Sequence, residues 1–329
     1  IVKLPPTFLE KYMAANWMRR SLMVAACASA ALLAACGSST TESAISPQRM
    51  IAFGDGMSDV GQKGTRYTVN DGSVNNWTLQ VASGYGKTLT ASSAGGKSYA
   101  AGNARIVAKP DAAGSNTTLT VKEQIDSFLA SNTFTGDDLV MINGGISDVI
   151  ANMAAVNAGT MTTEQMITAS RQAGTDFAAQ IRRLVNAGAK YVVVAGTYDL
   201  SKTPWATDIS RTTVLNSASS AFNEGLLVGI VDLGANVLYV DLAYYVNLYT
   251  SSPSAYGFEN ATKAVCTSVD ATDGIGIGAG KVNSALCTTS TLLASANQDK
   301  YAFADSVYLT PSAQRQFGTY AYDRLRSRW

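Results

Sequence analysis

The 329-residue chain contains no histidine. That removes the side chain that titrates nearest neutrality, and with it the usual general base of a serine hydrolase and the commonest nitrogen ligand for zinc. Without a Cys/His or His/carboxylate cluster, no metal and no cofactor is expected. Charge is also scarce. Only 15% of residues are charged, with 25 basic against 24 acidic side chains, which gives no electrostatic case for binding nucleic acid. The apolar run from Leu22 to Ala35 is too short to span a bilayer comfortably. The glycine-rich stretch Gly274-Ile275-Gly276-Ile277-Gly278 lacks the G-x-G-x-x-G spacing, follows no strand-like run and opens no helix, so a dinucleotide fold is excluded. What remains is ample: 47% hydrophobic residues and no internal repeat fit one large globular domain.

The N-terminal part reads as a sorting signal. Met18-Arg19-Arg20 precedes the Leu22–Ala35 run, which ends Leu33-Ala34-Ala35-Cys36-Gly37 and resembles a bacterial lipobox. That resemblance implies cleavage before Cys36 and lipidation of its thiol; an uncleaved membrane anchor is the alternative. Residues 1–17 read as an upstream extension and 1–35 as extension plus signal. Residues 36–48 read as lipidated cysteine plus a Ser/Thr-rich flexible tether. Removing 1–35 takes away Lys3, Lys11, Arg19, Arg20 and Glu10, leaving a small net negative charge. Gly37 rather than Asp after the cysteine favours the outer membrane by resemblance to bacterial sorting rules, with the lipid as the membrane contact. Export also suits the cysteines. Cys27 falls in the signal and Cys36 takes the lipid, so Cys266 and Cys287 form an even pair. A disulfide between them would contribute about 3 kcal/mol on chain-entropy grounds; two buried free thiols are the alternative.

From residue 49 to 329 the pattern is α/β. Met50–Phe53, Asp138–Asn143, Tyr191–Ala195 and Val237–Val240 are short and β-rich, and amphipathic stretches at Val121–Ala130, Thr163–Ala187 and Thr212–Leu233 lie between them. Thr162 or Thr163 can cap the second of these helices, and Gly188 sits where a C′ glycine belongs. The alternation predicts a mostly parallel sheet with helices on both faces. Residues 251–298 are rich in Gly, Ser, Thr and Asn and hold the cysteine pair; they read as a disulfide-tied excursion on the sheet's rim.

Five stretches carry a resemblance. Ile51–Gly61, IAFGDGMSDVG, resembles the nucleophile block of the GDSL, or SGNH, lipase/esterase family. Ser98–Ile106 resembles its second block, Val140–Ile150 its third and Phe303–Pro311 its last, while Pro253–Cys266 is close to a segment of the autotransporter-like and lecithinase branch. The resemblance covers the whole mature domain and implies a single SGNH-hydrolase-like, flavodoxin-like fold with carboxyl-ester hydrolysis as the family activity. It also exposes three departures. The attacking serine falls on Gly56, the oxyanion-hole asparagine on Ser147, and the histidine on Tyr308, whereas Asp305, Asp148, Gly145 and the oxyanion glycine, Gly102, are kept. Asn103 stands where a second glycine is common.

The chemistry of the departures is severe. Gly56 has no atom with which to attack, although its amide and that of Gly102 could still serve half an oxyanion hole. Ser147 lacks the amide donors of asparagine. Tyr308 can hydrogen-bond Asp305, but a phenol is only about 0.1% ionised at pH 7. Loss of a triad leaves only about 10³–10⁴ of acceleration over water. Ser58 is the rescue nucleophile to consider. It sits in the first helical turn, where a hydroxyl caps backbone donors, and two residues of helix turn it about 200° from Gly56. Asp55, Asp148 and Asp305 each have structural roles by resemblance, which leaves an acid-pair hydrolase remote.

The expectation is therefore a lipid-anchored pseudoenzyme, exported and facing the periplasm or cell exterior, that binds an acyl, glycan or protein ligand in the old cleft or its rim. Tyr244, Tyr245, Tyr249 and Tyr256 offer aromatic surface for this, or ordinary packing. An active ester hydrolase using Ser58 or Ser147 with an unusual base, and a purely structural lipoprotein, are the alternatives.

Overall fold

The computed structural model describes residues 45–329. The signal segment, the lipidation candidate Cys36 and residues 37–44 of the tether lie outside the described residues. Four strands, β1 (Arg49–Phe53), β2 (Asp138–Asn143), β3 (Tyr191–Ala195) and β4 (Val237–Tyr239), form a parallel sheet in that order. Register places Ile51 opposite Val140, Val140 opposite Val192, and Val193 opposite Leu238. Arg49 and Asp138 are register partners and also a bidentate ion pair, with Nε to Oδ1 2.7 Å and Nη2 to Oδ2 2.5 Å. The pair pins β1 against β2 at their outer ends.

Eight α-helices surround the sheet among the described residues: α1 (Trp77–Gly84), α2 (Val121–Leu129), α3 (Ile146–Asn157), α4 (Thr163–Asn186), α5 (Pro204–Asp208), α6 (Thr212–Ile230), α7 (Leu242–Ser251) and α8 (Pro311–Arg328). Side chains of a strand alternate between faces, and the two buried clusters follow that parity. Met50, Ala52, Leu139 and Met141 pack with Trp77, Val149 and Phe317 on one side. Ile51, Phe53, Val140 and Ile142 pack with Phe128, Phe177 and Phe222 on the other. Burying each such side chain fully contributes on the order of 2 kcal/mol.

The long helix α4 begins and ends where its residues dictate. Thr162 and Gln165 form a reciprocal capping box, and Gly188, at φ +103°, takes the left-handed position after the C-cap. It packs closely on α6. A Cβ on Gly174 would fall 2.0 Å from the Phe222 carbonyl oxygen, and one on Gly225 would fall 2.3 Å from that of Arg171.

The excursion is more closely integrated than its composition suggests. β5 (Asn260–Ala264) pairs in parallel with β8 (Tyr301–Phe303). Between them β6 (Val269–Asp270) and β7 (Lys281–Val282) form an antiparallel hairpin. The Cys266–Cys287 disulfide is formed just outside that hairpin, Cα–Cα 5.9 Å. The hairpin's tip is not a free rim. Asn103 Nδ2 donates to the Gly274 carbonyl at 2.8 Å, and a Cβ on Gly276 would meet the Ala112 oxygen at 2.4 Å. The tyrosines near Pro253 mostly pack. Tyr249 is fully buried and donates its hydroxyl to the Ala313 carbonyl, and Tyr245 lies 4.4 Å, centroid to centroid, from Tyr320; Tyr244 alone of the four is exposed. Among the described residues no helix is long and apolar enough to cross a membrane.

Candidate functional site

The chain leaves β1 into a turn at the C-terminal edge of the sheet, the usual place for a site in an open parallel sheet. Gly54 has φ +142°, and a Cβ there would run into Asn143 Oδ1 at 2.1 Å, so no larger residue fits. Gln124 from α2 clamps it from both sides. Its Oε1 accepts from the Gly54 amide and its Nε2 donates to the Gly54 carbonyl, each at 2.9 Å. Asp55 follows, fully buried. Its Oδ1 accepts from the Met57 amide at 3.0 Å and from Asn143 Nδ2 at 2.7 Å, while Oδ2 has no partner. Burial pushes this carboxyl up to about 6, against the pull of the Asn143 and Met57 hydrogen bonds.

Gly56 comes next, at the position that the resemblance matches to the family's nucleophile. A Cβ built there would fall 2.8 Å from both Cζ and Oη of Tyr308. Tyr308 is itself fully buried, and its hydroxyl has no hydrogen-bond partner. Burial raises its pKa well above 10, and the nearby Asp55 carboxyl adds to the shift. The phenol does not bond Asp305, contrary to expectation. Asp305 Oδ1 instead accepts the backbone amides of Val307 (2.7 Å) and Tyr308 (2.6 Å), and Oδ2 accepts that of Ser284 (3.0 Å). The aspartate shapes the turn that aims the ring, and the ring fills the space over Gly56.

The positions that the resemblance matches to the oxyanion hole are altered too. The Gly102 amide is not free for a ligand, because it donates to Asp59 Oδ2 at 2.8 Å. The other oxygen of Asp59 accepts the Gly61 and Gln62 amides, both at 2.8 Å. Over Gly102 lies Tyr67, so close that a Cβ on the glycine would sit 2.0 Å from its ring. Asn103 has φ +66°, a left-handed conformation that asparagine tolerates and glycine favours, which accounts for glycine being common at that position. Ser147, at the start of α3, is fully buried with an unpartnered hydroxyl. Asp148 beside it accepts the Ile106 amide at 3.0 Å and Arg105 Nε at 3.3 Å, tying the second block to α3.

Ser58 is not poised to attack. It is fully buried and accepts the indole N–H of Trp77 at 3.0 Å. The structure thus brings Gly56, Tyr308 and Asp305 together, whereas Ser58 is engaged elsewhere. Asp59 and Tyr67, which occupy the second block's glycine, carry no signal that sequence reasoning isolated; Asp59 stood inside the quoted motif as a family match only.

Two cavities open beside the closed position, neither lined by Gly56, Ser147 or Tyr308. One, about 550 Å³, has largely apolar walls that include Ala151, Ala154, Trp205, Ile209 and Ile277, with Arg105 at its edge. The other, about 520 Å³, is polar and lies beyond Tyr67 and Asn103. Asp111, Ala113 and Asp273 contribute to both, so the β6–β7 tip and the loop around Asp111 form the wall between them. Among the described residues no group of three or more Cys, Asp or Glu side chains could hold a metal ion.

Comparison with known proteins agrees with the geometry. An uncharacterized protein in the trpE-trpG intergenic region of Pseudomonas putida is 27% identical over 157 residues, 48% of this chain. The match spans about a quarter of that relative's length, 25%. The model of the GDSL-like lipase/acylhydrolase family matches residues 50–320, from the first residues of β1 into α8, and the chain therefore belongs to that family.

Proposed function

We propose that this chain is a family member that no longer hydrolyses esters and is retained as a lipid-anchored, ligand- or partner-binding protein outside the cytoplasm. One observation carries the reading: the Tyr308 ring fills the volume that any side chain at position 56 would need. Loss of the nucleophile is thus matched by occupation of its space, and no histidine exists to act as base. The engaged Gly102 amide and the buried, asparagine-less Ser147 point the same way. Ser58 does not rescue the activity, because its hydroxyl is buried against Trp77. The disulfide fits an oxidising compartment, and the Leu33–Cys36 motif supplies the lipidation site that would hold the protein at the outer membrane. The cavities on either side of the β6–β7 tip remain for an acyl, glycan or protein ligand.

The test is hydrolysis of short-chain p-nitrophenyl esters by the purified chain, together with labelling by a fluorophosphonate. The native protein is expected to be silent in both. The combined Gly56→Ser, Ser147→Asn and Tyr308→His protein is expected to gain labelling at residue 56. Turnover by the native protein that Ser58→Ala abolishes would sink the reading.

A further inference from the structure

The four parallel strands all start at one end of the sheet, the end opposite the Gly56 turn. Apolar side chains are exposed there. Leu227, Val228 and Val231, within about one turn at the close of α6, are 41, 70 and 80% exposed. The same helix already buries Phe222, Leu226 and Ile230 against the sheet, so the trio adds nothing to that packing. Exposed apolar side chains that stand together, rather than singly, mark a contact surface.

The same end is basic. Helix α8 runs down to it: Arg328 Nη2 donates to the Gly234 carbonyl at 2.6 Å, and the Trp329 ring lies 5.2 Å from that of Tyr191 at the start of β3. Arg324, Arg326 and Arg328 thereby join Lys190. On the β1 side stand Lys87 and Lys97, which reach Gln48 Oε1 and Asn132 Oδ1. None of these six cations pairs with an Asp or Glu side chain among the described residues. Arg49 and Arg182 are neutralised by Asp138 and Asp232, which leaves Asp137 and Asp323 as the opposing carboxylates. At the far end the sign reverses, where Asp59, Asp111, Asp270 and Asp273 line the polar cavity against Lys63. A chain with 25 basic and 24 acidic side chains has thus segregated its charge along the strand direction.

The chain also enters the domain here. Ile45 and Pro47 are buried, and the Gln48 amide donates to the Asp137 carbonyl at 2.9 Å. Cys36 is nine residues upstream of Ile45, no more than about 30 Å of extended chain. We infer that this end of the sheet docks on a phospholipid surface, with Leu227, Val228 and Val231 entering the headgroup region and the six cations over anionic phosphates. Tyr191 and Trp329, half-buried beside them, are the aromatic types that suit a membrane–water boundary. Nucleic acid would meet the cations but leave the apolar trio without a partner. A second copy on the same surface would set cation against cation. The inference goes beyond the proposed lipid anchoring, since it assigns a second, non-covalent contact and the face that makes it.

The experiment is hydrogen exchange on the purified full chain, with vesicles of phosphatidylethanolamine plus phosphatidylglycerol and, separately, of phosphatidylcholine. Amides of residues 227–236 are expected to exchange several-fold more slowly with the anionic vesicles, an effect that shrinks as salt rises. Those of the β6–β7 tip should not change. Reading these amides separates the surface from any attachment through residues 1–44. Val228→Ser with Val231→Ser alters two exposed side chains, and Lys190→Glu with Arg324→Glu reverses two exposed, unpaired cations. Each double variant should lose most of the protection, whereas Lys63→Glu at the far end should keep it. Equal protection by phosphatidylcholine, none by the anionic vesicles, indifference to both double variants, or protection that grows with protein concentration in the absence of vesicles overturns the inference. Ester turnover, or membrane association in cells that Cys36→Ser leaves unchanged, counts against the proposed function and leaves the docking surface standing.

Discussion

Tyr67 and Tyr308 lie ring to ring, centroids 5.2 Å apart, one over the Gly102 backbone and the other over that of Gly56. The two aromatic side chains therefore cover, with a single packed unit, both positions that the resemblance matches to the family's oxyanion glycine and nucleophile. Substituting either glycine pushes a new atom into a ring that cannot retreat into solvent.

Gly56→Ser alone is expected to destabilise the fold by about 1–3 kcal/mol through overpacking, with no gain in ester turnover. Adding Tyr308→His should recover part of that loss, because the smaller imidazole vacates the space. Denaturant melts of the single and double variants measure both effects, and a Gly56→Ser protein as stable as the parent would contradict the packing described.

Asp55 makes stability depend on pH. Its folded pKa is raised to about 6 by burial, above the ordinary 3.8, so the folded chain holds the proton more tightly than the unfolded chain. Its contribution is fully present below about pH 4 and is lost as pH rises through about 6, on the order of 2–3 kcal/mol. Burial shifts Asp59, Asp148 and Asp305 in the same direction. Comparing the chain with Asp55→Asn isolates the Asp55 share. The variant should lose less stability between about pH 4 and pH 7, and identical slopes would exclude the assignment.

Ser58→Ala removes the acceptor of a buried indole N–H. The expected cost is about 1–3 kcal/mol, read as a lower denaturation midpoint. Fluorophosphonate labelling should be absent before and after the change.

Replacing Cys266 and Cys287 by serine should cost about 3 kcal/mol by freeing the loop they close. Because the bridge sits at the base of the β6–β7 hairpin, amide exchange should accelerate first in residues 269–282. Exchange spread evenly over the sheet would show instead that the bridge stabilises the fold globally.

Much of the fold was legible because the relevant signals are local. The strands at Asp138–Asn143 and Tyr191–Ala195 coincide with their β-rich runs, and α4 starts at the Thr162 cap and stops before Gly188. Helix α8 announced itself less plainly. Its Thr310 cap and Pro311 at the first turn lie inside a segment whose resemblance concerned the missing histidine. The closure of the site was not legible at all. The Asp59–Gly102 hydrogen bond spans 43 residues, and Tyr67 has no motif around it, so only three-dimensional packing places them. The same holds for the phenol of Tyr308. Sequence proximity suggested Asp305 as its partner, whereas the backbone amides of the turn take that carboxylate.

The hydrogen bond from Gly102 to Asp59 has an evolutionary corollary. A lineage that has lost only its serine can regain it in one step. Here the Gly102 amide is committed to an internal carboxylate, and its approach is roofed by Tyr67. On the proposed reading of this chain as a member that no longer hydrolyses esters, each single reversal passes through a less stable protein with nothing gained, so selection has no downhill path back. On that reading the change of occupation acts as a ratchet, and descendants of this chain would diversify its surface far more readily than they would regain the family's chemistry.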